Sequence, residues 1–386
     1  MRRMRVVASL AGLVLVGLLA WHLVPDTPAK APVGATSDTA SAAPGSSSAA
    51  PAPLARGRRA IPASTAATDP RGRQPPLRPC ERDHNRALER TLAQLPTATT
   101  VEDALGRALV RSTLVDPHET SRELAALARQ WPDDPRVAWM GLNVCRKDRQ
   151  CDDAAWIRRL LAVDGDNAQA WLVAMETAVR RHDDAGVALA LRRAAQAPRY
   201  APPDGMSFKF AWPIFRRAGT PQSCLDSLSG DLAETLGFPS TAEDWADIWA
   251  QGLEMAQTGL GVSVVTECDP RTRRLSTARR EDCITALRRM ALGRQFTTAQ
   301  VATKYLILLL GPRDSAPWRE HYRRLRYLHA VLIAGLSPPR GFLHDLAAEG
   351  EIAVWQAHAR ANGLWPPPAD WLPENDAARR LILEGR

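Results

Sequence analysis

From Cys80 to the end of the chain, apolar residues recur every three or four positions, the spacing that gives a helix one apolar face. The pattern is clearest between Trp131 and Pro198, where it also repeats at a longer scale. One copy runs from Asp134-Pro-Arg-Val-Ala-Trp139-Met140 through Asp152-Asp-Ala154 to Leu160-Leu161. The second runs from Asp166-Asn-Ala-Gln-Ala-Trp171-Leu172 through Asp183-Asp-Ala185 to Leu189. A period of about 32 residues is the signature of stacked helix pairs. In each copy an Asp precedes the first helix as a cap, Ala-Trp packs inside it, and an Asp-Asp turn opens the second helix.

Upstream, Asn85–Leu95 reads as a helix. Thr99-Thr-Val-Glu102 has the form of a capping box ahead of Leu105 and Leu109. Glu119–Trp131 follows, with Leu124, Leu127 and Ala128 on one face. Downstream, Tyr200–Gly205 is a loop, and Ser207–Arg217 and Gln222–Leu236 are short helices. Ser240-Thr-Ala-Glu243 is a second box, opening a helix with Trp245, Ile248, Trp249 and Leu253 on one face. Gly261–Val265 is loop or late helix. A basic helix over 279–292 carries Cys283, Leu287 and Met290. Thr297-Thr-Ala-Gln300 caps a buried helix around Leu306–Leu310, and Ser315–Ala334 is long and amphipathic. Three short helices (338–348, 349–362, 373–385) end the chain, the last two separated by Trp365-Pro-Pro-Pro-Ala-Asp-Trp371. No strand pattern interrupts the body. The expected fold is all-α, with about 14 to 16 helices, right-handed and repeat-derived over 80–205 and irregular over 206–386.

The repeated stretch resembles tetratricopeptide-like repeats. The resemblance rests on Ala138-Trp139 and Ala170-Trp171 in the first helix, Ala154 and Ala185 in the second, and Asp164 and Pro198 near the repeat ends. It covers two repeats and extends to a third over 100–131. Asn143 and Met175 stand where the family usually has Gly, and Cys145-Arg-Lys-Asp-Arg-Gln-Cys151 replaces a Gly-containing turn. The resemblance implies a solenoid whose concave face binds peptides or protein segments, with no catalysis.

The N-terminus has a different pattern. Arg2, Arg3 and Arg5 precede 19 residues without a formal charge, Val6–Val24. That length fits a membrane-crossing helix over 1–24, with the N-terminus cytoplasmic and the body periplasmic. The rival reading is a signal peptide cleaved near Ala29-Lys-Ala31, leaving a periplasmic protein. No Cys follows the run, which argues against a lipoprotein. Residues 25–79 are rich in Pro, Ala and Ser and read as a disordered tether. The tether spans roughly 40 Å as a flexible coil.

Charge separates the parts further. The net charge of +8 over 386 residues lies mostly in residues 1–79, which hold ten Lys/Arg against three Asp/Glu. A near-neutral body argues against nucleic acid as a partner. Six cysteines suit an oxidising compartment. Local spacing favours Cys145–Cys151 and Cys268–Cys283, leaving Cys80 and Cys224 as a possible third pair.

The leads for chemistry are weak. His118-Glu119 begins like a zinc-protease helix but lacks the second His. Asp164-Gly-Asp166-Asn167 begins like a calcium loop, with Gln169 and Met175 where its Gly and Glu belong. Asp152-Asp153 and Asp183-Asp184 suit caps better than acid/base work. No cofactor or metal is expected. His321, His329 and His344 form the one cluster from which an acid/base site can be built. Of the 12 Trp, Trp365 and Trp371 are the ones expected to be exposed. The expected function is non-enzymatic: a membrane-anchored periplasmic body that binds a protein or peptide in the cell envelope. The alternatives are a spacer or homo-oligomeric scaffold, and an envelope hydrolase using the three histidines.

Overall fold

The computed structural model describes residues 79–148, 150–226, 241–257, 262–333, 339 and 341–386. The expected anchor, the tether up to Arg78 and the second half of the helix expected over Gln222–Leu236 lie outside the described residues. Among the described residues there are seventeen helical elements and no strands, so the protein is all-α. No helix among them is long and apolar enough to cross a membrane.

The first seven helices are α1 (Pro79–Gln94), α2 (Val101–Arg111), α3 (Pro117–Gln130), α4 (Pro135–Cys145), α5 (Asp153–Asp164), α6 (Ala168–Arg180) and α7 (Asp184–Gln196). From α2 onward each packs on the next. Short polar side chains start most of them. Asp116, Asp134 and Asp152 each accept the backbone N–H two residues on, and Asp183 accepts that of Gly186. Such caps satisfy donors that a helix start leaves unpaired. The expected starts shift by one residue at two places. Thr100, not Thr99, caps α2, which frees Glu102 to pair with Arg136 of α4 at 2.6 Å. Asn167, not Asp166, caps α6, and Asp166 binds Arg199 instead.

After α7 the chain forms a π-helix (Ser207–Ala211), α8 (Trp212–Ala218), α9 (Ala242–Gln257) and α10 (Val262–Glu267). Then α11 (Thr277–Ala291) packs on α7 and extends the stack through α12 (Phe296–Asp314) and α13 (Ala316–Ile333). Gly311, at φ 76°, and Pro312 kink α12 near its end. The chain closes with α14 (Phe342–Glu349), α15 (Glu351–Ala361) and α16 (Asp376–Glu384).

One compact unit contains all of Pro79–Arg386. Its largest core joins residues on both sides of the boundary expected at 205: Leu88, Leu105 and Trp139 pack in one cluster with Phe210, Phe215 and Trp249. A second core holds Leu172, Leu191, Val264, Leu287 and Leu306. Two smaller ones surround Leu325 and Leu328, and Ile307 and Tyr322.

Disulfides join Cys145 to Cys151, Cys268 to Cys283, and Cys80 to Cys224. The second links the end of α10 to α11. The third ties α1 to the short helical turn 222–226 across 144 residues of sequence.

Candidate functional site

The face shared by α2, α4 and α6 is covered by the chain itself. The π-helix and α8 lie on α2, and α8 also meets α1; α9 touches α4; α10 packs on α6. The covering segment therefore follows the stack in order. Aromatic side chains make the contact on α2 and α4, where Phe208, Phe210, Phe215, Trp245 and Trp249 are buried, whereas α10 meets α6 through Val264 and Val265. Backbone approach is close: a Cβ on Gly106 of α2 would stand 2.4 Å from the Phe210 carbonyl oxygen. Arg136 lies over the Phe210 ring at 5.5 Å while bound to Asp134 and Glu102. Cys224, after α8, and Cys268, at the segment's end, bind it covalently to α1 and α11.

His84 stands under this cover. It is 2% exposed and stacks on Trp249 with ring centroids 3.9 Å apart and planes 8° from parallel. Neither ring nitrogen has a hydrogen-bond partner. Burial without a partner disfavours the charged ring and lowers its pKa to about 4.

A polar junction lies where the segment begins. Asp204, in the loop after α7, accepts from Gln295 Nε2 at 2.5 Å. Glu254, near the end of α9, accepts from the Gly205 and Ser207 backbone N–H groups at 2.8 and 2.9 Å. Glu351, at the start of α15, accepts from Phe296 N at 2.6 Å and so caps α12 from another element. Thr297 was the expected cap there. The helix starts at Phe296 with no side-chain cap from its own Gln295, and Thr298 binds Gln295 instead. Burial pushes the Asp204 carboxyl up to about 6 and the Glu254 carboxyl up to about 7. Glu351 is raised as well, by burial and by the Asp204 charge.

The three histidines have separate neighbours. His321 donates from Nε2 to the Ala291 carbonyl at 3.0 Å and meets the Trp318 ring edge-on. His329 is buried beside Phe296. His344 is exposed, against the rings of Phe208 and Trp212. Trp365 and Trp371, expected to be exposed, are half-buried against Tyr327, because the Pro-rich turn folds down on α13. The repeat tryptophans serve packing and helix ends: Trp139 Nε1 donates to buried Asp164, and Trp171 Nε1 to the Gly165 carbonyl. His118 binds Asp148 at 3.1 Å. Among the described residues no group of three or more His, Cys, Asp or Glu side chains is placed to hold a metal ion. Sequence reasoning missed His84 and the carboxylate junction, whose members lie far apart in the chain and belong to no local motif.

No protein-family model, curated protein or solved structure matches this chain.

Proposed function

We propose that this is a membrane-anchored, non-catalytic protein whose periplasmic, tetratricopeptide-like body binds another protein or peptide segment of the cell envelope. The observation that supports this reading is the set of large apolar side chains left exposed on a stack of helices whose shared face the chain itself covers. Along α2, α4 and α6 the chain lays its own later segment, with aromatic side chains in the core shared with α2 and α4 and Val264 and Val265 of α10 in the core shared with α6; helical-repeat arrays engage partner segments in this way. That face is already filled, so the partner engages elsewhere. Leu189 on α7 and Leu292, which follows α11, are apolar side chains 52% and 70% exposed, and α7 and α11 pack on each other. Exposed leucines of this kind gain most from being covered.

The test is photo-crosslinking of the full-length protein in intact cells, with the reactive residue placed at Leu189, Leu292, Leu364 or Leu383. A discrete adduct with another envelope protein at one of these positions, and none at buried Leu191, supports the reading. Adducts containing two copies of this chain favour the scaffold alternative. No adduct at any of the four overturns both.

A further inference from the structure

The edge where α7 meets α11 carries apolar and cationic side chains together. On α7, exposed Leu189 lies one turn before Arg192 and Arg193, which are exposed as well. On α11 and its C-cap the order is reversed, and Arg288 and Arg289 come one turn before exposed Leu292. The two helices are fastened to each other at this edge. Arg289 Nη1 donates to the Ala194 carbonyl of α7 at 2.9 Å, and Arg192 acts on half-buried Asp282 of α11.

Elsewhere many arginines of this body are matched to carboxylates. Arg136 binds Glu102 and Asp134, Arg199 binds Asp164 and Asp166, and Arg323 and Arg324 bind Glu320. At the α7–α11 edge positive charge is left over. Among the described residues, Arg193 and Arg288 enter no ion pair and no side-chain hydrogen bond. Covering the leucines favours docking, and unmatched guanidinium groups beside them select the sign of what docks.

Charge also decides between occupants. The chain's own residues 1–79 hold ten Lys/Arg against three Asp/Glu and would be repelled. A second copy related by a two-fold axis through this edge would bring like arginines together. A flat anionic lipid surface would meet exposed Glu281, which lies two turns before Arg288 on the same stripe of α11. A protein segment can place its carboxylates against the arginines and leave Glu281 unopposed.

We propose that the α7–α11 edge docks an acidic protein segment. Its apolar side chains cover Leu189 and Leu292, and its Asp or Glu carboxylates pair with Arg192, Arg193 and Arg288. This rests on the protein-binding function proposed above and gives the partner its chemistry. From Glu281 to Leu292 the helix rises roughly 16 Å, which about five extended residues span.

Photo-crosslinking of the full-length protein in intact cells tests this, with the reactive residue on one helix and the altered charges on the other. With the reactive residue at Leu292, exchanging both Arg192 and Arg193 for Glu is expected to lower the yield of the protein adduct roughly tenfold, because like charges then face each other across the interface. With it at Leu189, Arg288→Glu is expected to lower the yield roughly threefold. Lys at the same positions keeps the sign of the charge and the yield within about twofold. The crosslinked partner peptide, read by mass spectrometry, carries Asp or Glu more than once within about five residues of the crosslink. An adduct that survives the charge reversals, or whose partner peptide lacks those acids, overturns the proposal and leaves the protein-binding function standing. So do protein adducts confined to Leu364 or Leu383. A lipid adduct, or one with a second copy, in place of another protein at Leu189 and Leu292 also overturns it. No adduct at any of the four leucines overturns both. Should one reversed variant fail to fold, the other and the wild-type partner peptide decide.

Discussion

At the scale of the residue, the most informative side chains are buried and polar. His84 is neutral where it lies, and its pKa is lowered to about 4 from the 6.5 of a hydrated imidazole. A base with a depressed folded pKa contributes stability that is present above pH 6.5 and is lost as the pH falls toward 4. That loss amounts to roughly 3 kcal/mol at most. His84→Phe keeps the stacked ring and removes both unpartnered nitrogens. Denaturant titrations of the variant are expected to lose most of the wild-type decline between pH 6.5 and 4. A decline parallel to the wild type would show that His84 does not control it. Glu254 works in the opposite direction. Its folded pKa is raised to about 7 from 4.5, so its contribution is present below pH 4.5 and is lost as the pH rises through 7. The contributions of these two residues alone balance between pH 4.5 and 6.5. Exchanging His84 moves the pH of greatest stability lower, and exchanging Glu254 moves it higher.

At the scale of the element, the fit of neighbouring helices depends on a few small residues. Gly141 lies inside α4, where glycine costs about 1 kcal/mol relative to alanine. The reason it stands there is Trp156 of α5, whose ring would lie 2.1 Å from a Cβ at this position. Gly141→Ala is therefore expected to destabilise by roughly 1–3 kcal/mol despite its better helix propensity. A variant as stable as the wild type in urea would mean that Trp156 moves aside freely. The repeat pattern draws attention to Asn143 and Met175 as departures from a family Gly. The functional small residue of α4 lies two positions earlier, and only the packing of α5 reveals it. Helix starts follow the same rule. Asp134, Asp152 and Asp183 cap where local sequence says they do. The boxes expected at Thr99 and Thr297 do not form: Thr100 caps α2 while Glu102 pairs with Arg136, and Glu351 reaches Phe296 from elsewhere in the chain.

At the scale of the whole molecule, the disulfides differ in what they constrain. Cys80–Cys224 closes 144 residues, Cys268–Cys283 closes 15 and Cys145–Cys151 closes 6. On the chain-entropy model their contributions are roughly 5, 3 and 2 kcal/mol. Three double Cys→Ser variants are expected to lose melting temperature in that order. A smaller loss for the Cys80/Cys224 variant than for Cys145/Cys151 would show that the covering segment remains ordered in the unfolded chain or is held by its aromatic contacts alone.

The sequence by itself determined the helical class, the helix pairs of 131–198, the caps at Asp134, Asp152 and Asp183, and the burial of Leu160, Leu172 and Trp139. These follow from interactions within one or two helical turns, where spacing and residue type suffice. Tertiary structure decided where the segment after residue 205 goes, and with it the meaning of the face that the helix pairs form. It half-buried Trp365 and Trp371, gave each of the three histidines its own neighbours, and gathered Asp204, Glu254 and Glu351. Such contacts join positions tens of residues apart, and what selects them is the fit of whole helices and the cost of leaving aromatic surface in water. Neither is written in any local stretch of the chain.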